Sequence, residues 1–119
     1  LEAGLAEMRR VARGPVVILT CNPAEVQDFW LNDYAPAVLA AEARRYPSFD
    51  RLRDGLGTAV KIVPVPIPLN CRDGFNEAYY GRPEMFLDDK ARLSCSAWSF
   101  VPPDMASASV AALKHALDT

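Results

Sequence analysis

Apolar positions at the start of the chain recur at helical spacing. Leu1, Leu5, Met8 and Val11 or Ala12 share a face, and Arg9, Arg10 and Arg13 gather toward its end. Cations in a last turn suit the negative pole of a helix, and Gly14-Pro15 then stops it. Val16-Val17-Ile18-Leu19-Thr20 follows without polar alternation, the pattern of a strand covered on both faces as in a parallel sheet. Next, Asn22 offers an N-cap, Pro23 suits a first helical position and Glu25 completes a capping box, which predicts a helix through Val26, Phe29 and Trp30. A further helix is expected over Pro36 to Arg45. Ser48 is placed to cap a short one through Phe49, Leu52 and Leu56, ended by Gly55 and Gly57.

Thr58 to Leu69 is the second strand candidate. Val63, Val65, Ile67 and Leu69 alternate with Pro64, Pro66 and Pro68. Alternate N–H groups of an extended chain point to one side, so these prolines strip donors from that side alone. The pattern predicts a sheet edge, or an extended run leaving the sheet. Beyond Asn70 the chain reads as short helices: one with Ala78, Tyr79 and Tyr80, another turn from Pro83 to Leu87, one capped at Leu87-Asp88-Asp89, and a last from Asp104 to Leu117.

The fold class expected from this order is α/β, helix-rich with few strands. It forms a single partial domain over 1–119: residues 1–69 hold helix, strand, helices and edge strand, and 70–119 a helical insertion or lid with a terminal helix. The 119 residues suffice for one domain with a modest core. Half are hydrophobic, 24% are charged and the net charge is −2, which disfavours a nucleic-acid or anionic-lipid partner. No run is apolar and long enough to span a membrane, and three cysteines without C-x-x-C spacing point to reduced thiols in the cytoplasm. No metal site is expected, since His115 is the only histidine.

Recognisable catalytic motifs are absent. The close pair Gly55-x-Gly57 precedes a strand candidate, the wrong order for a dinucleotide loop, and there is no P-loop or nucleophile elbow. The richest patch is Asp73, Phe75, Tyr79, Tyr80 and Arg82 with Trp98, the materials of a small-molecule pocket and equally of a lid packing its own aromatics. Trp30 and Tyr34 invite the same two readings. Cys21 and Cys71 follow strand candidates, yet a free cysteine is usually a small buried hydrophobe. The substrate-side candidates are therefore Trp30, Asp73, Phe75, Tyr79, Tyr80 and Arg82.

Leu5-Ala6-Glu7-Met8-Arg9-Arg10-Val11-Ala12-Arg13-Gly14-Pro15-Val16-Val17-Ile18-Leu19-Thr20 resembles the segment before and through the fifth strand of class I S-adenosylmethionine-dependent methyltransferases. Cys71-Arg72-Asp73-Gly74-Phe75, with Tyr79-Tyr80-Gly81-Arg82-Pro83-Glu84 and Leu87-Asp88, resembles an insertion of small-molecule members of that family. The resemblance implies the C-terminal part of a Rossmann-like sheet and the substrate side of an enzyme acting on a small molecule. It also implies S-adenosylmethionine as the cofactor of the full-length protein. The family's glycine-rich loop and ribose-binding acid belong to strands not found here, so no cofactor-binding residue carries over, and the chain alone is expected neither to bind cofactor nor to be active. The alternative is a non-catalytic small-molecule-binding or protein-interaction domain. Orphaned strands would also permit a homodimer by strand pairing or swapping.

Overall fold

Local signals place the helices. In the computed structural model, which describes residues 1–57 and 59–119, α1 spans Glu2–Val11 and stops ahead of Gly14-Pro15. Helix α2 spans Pro36–Arg45 with proline in its first turn. Helix α3 spans Phe49–Leu56; the Ser48 hydroxyl accepts from the Arg51 N–H at 3.2 Å, and Gly57 leaves the helix at φ 100°. Helix α4, Asp89–Ser94, is capped by Asp88, whose carboxylate accepts from the N–H groups of Lys90 and Ala91. Helix α5 spans Pro103–Asp118. Between them lie five short 3-10 turns: Val26–Asp28, Trp30–Asp33, Asn76–Tyr79, Pro83–Leu87 and Ser96–Phe100.

The expectation of an α/β fold built on a Rossmann-like sheet is overturned, because no described residue lies in a strand. Val16–Thr20 is unpaired, and Val17 and Leu19 stand 87% and 81% exposed. Residues 60–68 likewise lie in no strand, and Pro68 and Leu69 enter a turn closed by the Cys71 N–H on the Pro68 carbonyl at 3.0 Å; Val63, Val65 and Leu69 are well over half exposed, and Thr58, where that strand was expected to begin, lies outside the described residues. The physical reason is that β-branched runs and X-Pro pairs bias the local dihedrals, whereas a strand also needs a ladder of backbone bonds to a neighbour. The helix expected through Val26, Phe29 and Trp30 is also corrected. Asn22 closes a tight turn by accepting from the Ala24 N–H at 3.2 Å, and two 3-10 turns follow in place of an α-helix.

Packing falls into two groups. Helix α1 lies on α3, with fully buried Leu5 against Gly55 and Leu52 close by. The main core gathers around α2, whose Val38 and Leu39 meet Val26, Leu31, Tyr79, Phe86, Trp98 and, from α5, Leu113. Phe86 is its hub: Trp30 and Tyr79 meet its ring edge-on at centroid distances of 5.9 and 5.4 Å, and Trp98 lies 6.1 Å away. The molecule measures 52 × 28 × 23 Å with a radius of gyration of 16.6 Å. A compact domain of this length would have a radius of about 13–14 Å. The excess accompanies Val16–Thr20 and residues 60–68, which lie outside any helix and in no strand.

Candidate functional site

The inward stripe of α2 ends in a charge. Ala35, Val38 and Leu39 bury apolar surface, and Glu42, one turn beyond Val38, continues the same face at 6% exposure. Asn76, 1% exposed at the start of its 3-10 turn, bridges two elements to this carboxylate. Its amide donates to Glu42 Oε2 at 3.2 Å, and its carbonyl oxygen accepts from the Trp98 indole N–H at 2.9 Å. Glu77 follows in sequence, and its carboxyl lies near enough to act on that of Glu42. Burial and a neighbouring carboxylate both favour the protonated form of a carboxyl.

Burial first, and then the neighbouring Glu77, push the Glu42 carboxyl up to about 7. Burial likewise raises Glu77, whose Oε2 is enclosed without a hydrogen-bond partner. Tyr46, at the C-terminal end of α2, lies beside Cys21, and burial raises both groups above their ordinary ranges. The Cys95 thiol is pushed up to about 11 by burial. Cys21 and Cys95 are therefore neutral thiols near pH 7, with none of the thiolate character a cysteine nucleophile requires.

A cavity of about 200 Å³ opens against Glu42, walled also by Tyr46, Gly74, Phe75, Asn76 and Cys95. Gly74 is needed there, because a Cβ at that position would overlap the Ser94 side chain. Arg45 also borders the cavity but is engaged outside it: its guanidinium donates to Ser96 Oγ at 2.7 Å and lies 4.4 Å from the centroid of the Phe100 ring.

The six residues singled out in the sequence are distributed over four places. Phe75 walls the cavity, and exposed Asp73 beside it accepts from the Gly74 N–H at 2.8 Å. Trp30 and Tyr80 meet at a more open groove of about 320 Å³ that includes Asp33, Tyr34 and Leu117; the Trp30 indole donates to the Tyr80 carbonyl at 2.9 Å. Tyr79 is in the core against Phe86. Arg82 braces the 71–82 loop, donating to the carbonyls of Cys71 and Ala78 at 2.8 and 3.1 Å, with the Tyr79 ring 5.3 Å away. Sequence reasoning missed Glu42, Asn76 and Glu77. The legible signal was the stripe 35, 38, 39, 42 and 46, which sets Glu42 among apolar positions.

No protein-family model matches the sequence, and no curated protein matches it at a significant level. The structure does match a crystal structure from Anabaena variabilis ATCC 29413, named "putative methyltransferase from antibiotic biosynthesis pathway". The TM-score is 0.86 at 28% sequence identity, over 99% of this chain and 49% of that one. The chain is similar in fold to that part of the Anabaena protein. It spans about half the length of the Anabaena protein. No described helix is long and apolar enough to cross a membrane.

Proposed function

We propose that this chain forms the substrate-side portion of an S-adenosylmethionine-dependent methyltransferase acting on a small molecule. The observation that carries the reading is the match to the Anabaena protein over nearly the whole of this chain and only half of that one. The cavity beside Glu42 supports it, because methyl transfer asks a protein to hold an acceptor atom in line and away from water.

The residues present do not fit the cofactor. The close glycine pair offers no phosphate or nucleoside cradle: the space a Cβ would take at Gly55 is filled by Leu5, and Gly57 faces the Arg9 guanidinium at the end of α3. In this reading the cofactor is held by a portion corresponding to the part of the Anabaena protein beyond the match. What this chain supplies is the enclosure: Phe75 and Tyr46 as walls, and Asn76 with Glu42 as polar contacts that orient a bound acceptor.

Calorimetric titration with S-adenosylmethionine tests the assignment. This chain is expected to give no binding heat, and a longer protein that includes the counterpart of the unmatched half is expected to bind the cofactor and transfer its methyl group. Tight binding by these 119 residues, or a longer protein that binds small molecules without transferring methyl, would overturn it.

A further inference from the structure

We infer that the groove of about 320 Å³ at Trp30, Tyr34 and Tyr80 binds a quaternary ammonium group carried by a free small molecule. No residue lines both this groove and the cavity beside Glu42, and the inference does not draw on the methyltransferase reading.

The walls set the sign of the charge. Three aromatic side chains, Trp30, Tyr34 and Tyr80, share the groove with one charged side chain, the exposed Asp33. Leu113 and Leu117 of α5 add apolar surface. The face of an aromatic ring carries negative potential, and Asp33 adds a full negative charge. Among the described residues no lysine or arginine lines the groove, and the two nearest in sequence are engaged elsewhere. Lys114, next to Leu113, pairs with Asp118 at 2.6 Å. Arg82, next to Pro83, donates to the carbonyls of Cys71 and Ala78. A cation is therefore the ligand this surface complements.

Hydrogen bonding narrows the class of cation. The Trp30 indole N–H donates to the Tyr80 carbonyl at 2.9 Å, and the Tyr80 hydroxyl donates to the Ile67 carbonyl at 3.0 Å. Both of these side-chain donors are spent, which leaves little to hold an anion. The first bond also fixes the Trp30 ring against the loop that carries Tyr80. Trp30 and Tyr34 stand at 71° with ring centroids 6.4 Å apart, so their planes meet as a corner. A primary ammonium brings three N–H donors that each need an acceptor, and Asp33 is the one carboxylate in the groove. A quaternary ammonium brings none. Its charge is spread over methyl groups, which pack on ring faces and on the leucines alike. The groove is at the lower end of ligand-pocket sizes, enough for a headgroup whose substituent extends into solvent.

The test titrates choline, its uncharged carbon isostere neohexyl alcohol, and ethanolamine into the 119-residue chain with nuclear magnetic resonance detection. Choline is expected to bind at least about fivefold tighter than the isostere, and tighter than ethanolamine, shifting the Trp30 indole N–H and the Leu117 methyl resonances. Tyr34→Leu and Asp33→Asn are each expected to weaken choline binding by about threefold, and Tyr34→Phe, which keeps the ring, to leave it unchanged. Asp33 is exposed, so its variant decides the matter even if Tyr34→Leu disturbs folding. With phosphatidylcholine vesicles the chain is expected to stay in the supernatant; co-sedimentation would overturn the assignment to a free small molecule. Equal binding of choline and isostere, tighter binding of ethanolamine, or shifts confined to the cavity beside Glu42 would overturn the inference. Choline preference in this chain and methyl transfer by a longer protein are separate readouts, so either reading can fail alone.

Discussion

Glu42 occupies a position that burial would assign to an apolar residue, and that placement has a thermodynamic signature. Its carboxyl titrates at about 7 in the folded chain against an ordinary 4.5, raised chiefly by burial. The folded state thus holds an extra proton between those values, and stability falls as pH rises through that interval. Glu42→Gln removes the dependence. The variant is expected to match wild type near pH 4.5 and to exceed it at pH 8 by on the order of 1–3 kcal/mol, read as the difference between two urea-denaturation series across pH. Asn76 behaves oppositely. Asn76→Ala strands the Trp98 indole N–H and a Glu42 oxygen in the core, and unfolding free energy is expected to drop by about 2–4 kcal/mol in the same assay. An unchanged midpoint would show that the bridge contributes nothing. Neither Glu42 nor Asn76 was evident from the sequence, because a Glu in Ala-Glu-Ala-Arg-Arg has the look of a solvated helix face. Only its register with Val38 and Leu39 separates it from the exposed arginines, and Asn76 becomes significant only once Trp98 is placed beside it.

At the scale of elements, what was legible is what short-range chemistry decides. Helix α2 begins at its proline, α3 is capped by Ser48 and released at Gly57, and Asp88 caps α4, each within a few residues of its signal. Asn22-Pro23 carried a signal of the same kind and produced a turn, because a cap competes with the Asx turn its own side chain can close. Gly55 has a meaning that only tertiary structure reveals. In the sequence it reads as part of a helix end; in the fold it lies within α3 where Leu5 of α1 presses in, and an added Cβ would overlap Leu5 Cδ1 and crowd its Cβ at 3.0 Å. Gly55→Ala gains up to about 1 kcal/mol of helix propensity, yet it must displace a fully buried leucine. The overlap is expected to win, with a net loss of about 1–2 kcal/mol confined to the α1–α3 unit. Hydrogen exchange would then rise across Glu2–Val11 and stay unchanged in α2; a uniform change in both would contradict the separation of the two packing groups.

The whole molecule is longer and looser than its residue count requires, and two segments read in the sequence as strands lie in none. Val16–Thr20 and residues 60–68 have no regular secondary structure, although a β-branched run and the X-Pro pairs at Pro64, Pro66 and Pro68 favour strand-like dihedrals locally. A strand depends on a second stretch of backbone, and no described residue provides one. Among the described residues, no backbone hydrogen bond engages the N–H groups of Val17, Ile18, Leu19, Val63, Val65 or Ile67. These six are expected to exchange at rates close to those of an unfolded peptide, while Val38 and Leu39 in α2 exchange only through larger opening. Val17 and Leu19 should also tolerate charge: the double variant Val17→Lys, Leu19→Lys removes no buried contact, and its unfolding free energy is expected to lie within about 0.5 kcal/mol of wild type. Protection of residues 17–19 in the isolated chain, or a large destabilisation by the lysines, would mean that this segment is covered in solution. A segment that exchanges freely and accepts two lysines leaves the core around Phe86 to account for the stability of the chain, the same core that holds Glu42, Asn76 and Glu77 in place.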